Sequence, residues 1–92
     1  MTNIIVRELI FDAMNIEHIK KHKVSAEEVV WAGKGAIYHE RVRHGRYLVV
    51  GRVEKRIISI IVKRKGIGRY YVVTARDAAK KERRKLYEKE KK

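Results

Sequence analysis

Between Ala36 and Thr74 the chain reads as four strand-like runs whose links are too short for anything but reversals. The runs are AIYHERV (36–42), RYLVVGRV (46–53), RIISIIVKR (56–64) and RYYVVT (69–74), joined by RHG, EK and KGIG. Parallel neighbours need a crossover of about a dozen residues or more, so these links predict an antiparallel meander. The segment IISIIV is almost continuously apolar, as a central strand covered on both faces would be.

What flanks the meander reads as one strand and three helices. NIIVRELIF (3–11) is apolar and β-branched, which predicts a first strand. Asp12 opens a helical stretch, AMNIEHIKKH (13–22), with Ile16 and Ile19 on one face. Ser25 followed three residues later by Glu28 is a capping box, with Val24 and Val29 at the staple positions, and Gly33 and Gly35 close that helix. Thr74 with Asp77 fits the same capping pattern and places the start of the last helix at Thr74. Its apolar stripe is Ala75, Ala78, Ala79, Leu86 and Tyr87, and Glu82 and Arg83 fall on that face. Either this part of the helix overhangs the sheet or the pair meets something polar on it. The predicted order is β-α-α-β-β-β-β-α, an α+β fold with a mainly antiparallel sheet. The first two helices are expected on one face, and the last near the strand that carries Tyr71.

Charge narrows the partners. The 92 residues suffice for one domain, 1–92, and 45% hydrophobic content excludes a disordered chain. Twenty-four Lys and Arg against 11 Asp and Glu leave +13, which points to an anionic partner, most often nucleic acid. There is no cysteine, so disulfides and thiolate metal sites are excluded. No apolar run matches a signal peptide or a membrane span, so the expected location is the cytoplasm, with no membrane partner. His18 and His22 have a spacing that can hold zinc, but no third ligand is visible, and a solvated face is expected. YHERVRHGR (38–46) gathers His39, His44, Glu40 and arginines, readable as acid–base equipment or as a charged hairpin tip. KGIG (65–68) reads as a turn rather than a nucleotide loop.

Three segments, IKKHKVSAEEV (19–29), RYLVVGRVEKRIISIIVKRKG (46–66) and VVTARDAAKKERRKLYE (72–88), resemble the BrnT family. These are toxins of type II toxin–antitoxin pairs with a RelE-like fold. KHKVS (21–25) matches the family's turn before its second helix, with Lys23 in place of glycine. TARDAAKKERRKLY (74–87) matches its final block, with Thr74 for serine and one extra residue before Tyr87. IFDAMN (10–15) replaces the family's tryptophan–acid pair. Tyr71 stands where the family usually has an arginine, and Arg69 lies two residues earlier on the same face.

The resemblance implies a ribonuclease that cleaves RNA without a metal or cofactor and halts translation. It also implies a cognate antitoxin, a small DNA-binding repressor, with a dimer or higher assembly in the complex. Such cleavage needs a base for the 2′-hydroxyl, cations for the phosphorane and an acid for the leaving oxygen. The resemblance points to Arg64, Arg76, Glu82 and Arg83 as catalytic, with Glu82 as the base or as the group that orients Arg76 or Arg64. The alternative for Glu82 and Arg83 is structural pairing with strand arginines. Arg69 and Tyr71 share a strand face and suit RNA, the ring for stacking. Lys80 and Arg84, in KKERRKLYEKEKK (80–92), either bind phosphate or form a solvated helix face. Two other functions compete with the toxin reading. One is a catalytically decayed toxin fold serving as a basic nucleic-acid- or antitoxin-binding module. The other is a structural or ribosome-associated basic domain.

Overall fold

The structure, a computed structural model, describes residues 5–91. Its elements are β1 (Glu8–Ile10), α1 (Ala13–Lys21), α2 (Ala26–Lys34), β2 (Ala36–Val42), β3 (Arg46–Val53), β4 (Arg56–Gly66), β5 (Arg69–Asp77) and α3 (Lys80–Glu90). The order is the predicted one. The five strands form a single sheet in the order β1-β5-β4-β3-β2. Every neighbouring pair is antiparallel except β1 with β5, which is parallel.

The meander forms where its links allow. His44 and Gly45 both have positive φ in the first link, Glu54 does in the second and Gly68 in the third. Two-residue reversals of this hand match the twist of the strands they join. β4 is central, and Ile58, Ile60 and Val62 face α1 and α2, with Ile19, Val29, Ala32 and Val72 completing that core. Gly51 on β3 sits directly under α2. A Cβ there would come within 2.1 Å of the Ala32 carbonyl oxygen, so helix and strand approach more closely than any side chain permits.

The first two of the three helix starts read from the sequence are present. The Asp12 carboxylate accepts from the Asn15 amide at 2.9 Å, and the Ser25 hydroxyl accepts from the Glu28 amide at 3.1 Å. Gly35 is the C-cap of α2, but Gly33 lies inside that helix, against Leu9. The first strand is shorter than expected, and residues 3 and 4 of that expectation lie outside the described residues.

The last helix departs most from expectation. It begins at Lys80, not Thr74, because Thr74 to Asp77 continue β5 by pairing with Ile61 to Ile58 of β4. Four more ladder positions outweigh a local capping pattern. The stripe read across this boundary therefore divides. Ala75 is buried on the α1/α2 side, Ala78 on the α3 side, and Ala79 is exposed. α3 covers the second face of the sheet over β2 and β3, not near Tyr71. Tyr38, Leu48, Val50 and Ile57 supply the apolar floor there, on which Leu86 is fully buried. Among the described residues no helix is long and apolar enough to cross a membrane.

Candidate active site

One cross-strand row runs under the start of α3: Tyr38, Val50, Ser59 and Arg76, from β2 to β5. Every polar member of the row donates to Glu82. The Tyr38 hydroxyl donates to the Glu82 backbone carbonyl at 3.2 Å. The Ser59 hydroxyl donates to Glu82 Oε1 at 2.7 Å. Arg76 Nη1 and Nη2 donate to Oε1 and Oε2 at 2.8 and 2.9 Å. The Ala79 amide, at the free start of the helix, donates to Oε1 at 2.8 Å. The polar intruder of the sequence is thus both the helix's N-terminal acceptor and the partner of a strand arginine.

These bonds set the electrostatics. The two-pronged Arg76 contact, helped by the Ala79 amide and Ser59, holds the Glu82 carboxyl down at about 2 against the pull of burial. A carboxylate that acidic is a poor proton acceptor for a 2′-hydroxyl. Glu82 orients Arg76. Burial, with Glu82 and Glu40 nearby, pushes the Tyr38 hydroxyl up to about 12.

Glu82 occupies only one edge of the guanidinium. Arg76 Nη1 spends its other proton on the Asp77 carbonyl at 3.2 Å. The remaining Nε–H and Nη2–H edge has no acceptor among the described residues, and the side chain is 38% exposed. Two parallel donors in this arrangement match two phosphate oxygens.

Beyond Arg76 the same face of the sheet is uncovered. Arg46, Lys63 and Tyr71 form one cross-strand row there. Arg69 lies on the same side and donates to Glu8 at 3.4 Å. Lys65 stands over the Tyr71 ring, 5.9 Å from its centroid. The Tyr71 hydroxyl donates to Asp12 at 2.8 Å, which tethers the ring to the start of α1. That bond and the Asn15 amide lower the Asp12 carboxyl below its ordinary range, the amide contributing most. At the border, Glu40 pairs with Lys85, whose ammonium lies 5.3 Å from the Tyr38 ring centroid. Glu40 and Arg46 belong to the stretch 38–46 read as acid–base equipment or a hairpin tip, whereas the sequence does not single out Lys63 and Lys65. Strand parity with Tyr71 was the available signal for Lys63.

The expected catalytic set is not gathered in one place. Arg76 and Glu82 meet. Arg64 pairs with Tyr70 on the opposite, α1/α2 side of the sheet and donates to the Gly66 carbonyl at 3.4 Å. Arg83 is exposed and turns to the far flank of α3. There it lines a cleft of about 650 Å³ together with Lys80 and Arg84, away from Arg69 and Tyr71. His18 and His22 have ring centroids 5.8 Å apart. Among the described residues no three His, Asp or Glu side chains group as metal ligands.

No known family model matches the sequence, and neither does any curated protein. Among solved structures, the 1.1 Å crystal structure of the Brucella abortus ribonuclease toxin BrnT is similar, with a TM-score of 0.66 and 22% sequence identity. The match covers 79% of this chain and 97% of that one. The meander, the paired N-terminal helices and the C-terminal helix thus make up the fold of the BrnT toxin.

Proposed function

We propose that the protein is an RNA-cleaving toxin of a toxin–antitoxin pair, acting without a metal in the cytoplasm and stopping translation. The observation that carries this is the free edge of Arg76, locked in place by Glu82 beside an uncovered sheet face rich in cations. The BrnT fold supports it, since the solved protein is described as a ribonuclease toxin. In this reading the strand lies over the open face, with its phosphates near Arg46, Lys63 and Arg69 and one base against Tyr71. The Nε/Nη2 edge of Arg76 takes two non-bridging oxygens of the scissile phosphate. The 2′-hydroxyl gives its proton to water as its oxygen bonds to phosphorus, and the bond to the 5′-oxygen breaks, that oxygen taking a proton from water. The fixed guanidinium stabilises the charge that builds on the non-bridging oxygens without first having to reorganise. Glu82 is a positioning residue. A small antitoxin that carries a DNA-binding domain would cover this face and form a larger assembly with the toxin.

Two observations favour a second reading, a decayed toxin that only binds. Glu82 is too acidic to serve as the base, and the hydroxyl of Tyr71 is committed to Asp12. Incubating the purified chain with RNA in excess EDTA separates the two. Fragments ending in a 2′,3′-cyclic phosphate are expected. Tight binding with no fragments would favour the decayed scaffold, and fragments that vanish on chelation would overturn the metal-free mechanism.

A further inference from the structure

α3 presents different chemistry on its two flanks. Glu82 and Leu86, four apart, face the sheet, and Lys85 reaches the Glu40 side. Lys80, Arg83, Arg84 and Tyr87 fall on the other flank. There, with Lys55 of the β3–β4 turn and Arg56 at the start of β4, they line the cleft of about 650 Å³. Arg56 is neutralised, donating to Asp77 at 2.6 Å and to Glu28 at 2.8 Å. Lys55, Lys80, Arg83 and Arg84 join none of the ion pairs among the described residues. Asp77 also lines the cleft and its carboxylate feels Arg83, but Arg56 already holds it, so these four cations leave the concavity with a positive excess that favours an anion. Tyr87 is 48% exposed at the cleft; Arg52, paired with Glu90, lies 6.0 Å from its ring centroid, so the ring stands among cations.

We infer that this cleft is a second binding site for the sugar–phosphate backbone of single-stranded RNA, separate from the Arg76 site and continuous with it around the start of α3. The inference rests on the RNA reading of the open face. Consecutive residues face the two sites: Arg76 turns to the open face and Asp77 lines the cleft. A strand leaving Arg76 therefore meets Lys80 and Arg83 next. Cations spaced around an exposed ring suit alternating phosphates and bases, whereas an acidic peptide would leave the ring unused. The site grips a flanking segment of the strand and adds affinity without adding chemistry.

The test is equilibrium binding of a 2′-O-methylated oligouridylate, which cannot be cleaved through its 2′-oxygen, over a range of salt. In the triple variant Lys80→Gln, Arg83→Gln, Arg84→Gln, the slope of log K against log salt should be shallower by about 2, at about 0.7 per lost phosphate contact. Its melting temperature should equal or exceed that of the wild type, because repulsion is relieved. Should the triple variant fold poorly, Lys55→Gln with Arg84→Gln should lower the slope by about 1.4. Wild-type binding with an unchanged slope in the variants would overturn this inference and leave the open-face reading standing. No RNA binding by the wild type would overturn both. Unchanged RNA binding with lost binding of polyglutamate would overturn it in favour of an acidic protein surface.

Discussion

Arg76 and Glu82 carry most of what is specific at the scale of single residues, and each has a measurable signature. Replacing Arg76 with Lys keeps the charge but removes the planar fork, so cleavage of a defined RNA should fall by about 100-fold or more. The melting point should fall too, since Glu82 would keep a charge partner but lose a two-pronged one. Glu82→Gln should lower both cleavage and stability, the latter by about 1–3 kcal/mol, because the side chain is only 16% exposed and accepts four hydrogen bonds. For a chain of this length each kcal/mol moves the midpoint by about 4–8 °C. The pH dependence has a fixed sign. The Glu82 carboxyl sits at about 2 in the fold against 4.5 ordinarily. Its contribution is therefore complete above pH 4.5 and disappears as pH falls toward 2, about 3 kcal/mol at most. Urea unfolding at stepped pH should show that loss in the wild type and a flatter curve in Glu82→Gln. Glu82 was legible in the sequence as a carboxylate on a packing face. Arg83 is not separable from it in the sequence, because its place depends on a helix that begins at Lys80 and not at the capping pattern of Thr74. Arg64 was lost for a different reason: in a strand apolar on both faces, alternation does not say which side a charged residue takes.

Among the elements, the contrast between two capping patterns is instructive. Ser25 with Glu28 lies at the end of the turn between α1 and α2, and the local chemistry decides the outcome. Thr74 with Asp77 carries a similar pattern, yet β4 offers an unfilled ladder opposite it, and the strand continues. That ladder partner is remote in sequence, so no local signal could reveal it. Ser25→Ala should therefore cost about 1 kcal/mol. Thr74→Ala should leave no helix-capping penalty, with any loss within about 0.5 kcal/mol, as for a surface change. Thermal melts of the two variants side by side would check this, and a larger loss at Thr74 would contradict the assigned helix start. The meander's strands were legible because their short links leave few alternatives. The close seat of α2 on β3 was not, since it depends on the absence of a side chain at Gly51. Gly51→Ala should destabilise by well over 1 kcal/mol, because its methyl would meet the Ala32 backbone and not a movable side chain.

For the whole molecule, charge and topology each have a consequence. A net +13 on 92 residues means that RNA affinity should fall steeply with salt, by about 0.7 in log K per log unit of salt for each phosphate engaged. Salt-insensitive binding would point to a protein as the principal target. The fold class was legible because order and link length left little choice. The parallel edge was not, since nothing near Glu8 announces Arg69 as its partner. That pairing, Glu8 to Ile10 beside Arg69 to Tyr71, has a kinetic corollary. Three strand pairs in the meander join neighbours in the chain, while β1 must wait for a strand some sixty residues away. The meander should assemble first and β1 dock last, over a surface already built. Deuterium should accordingly enter the β1 amides well before those of β4, and the strand that closes the sheet should be the first to open.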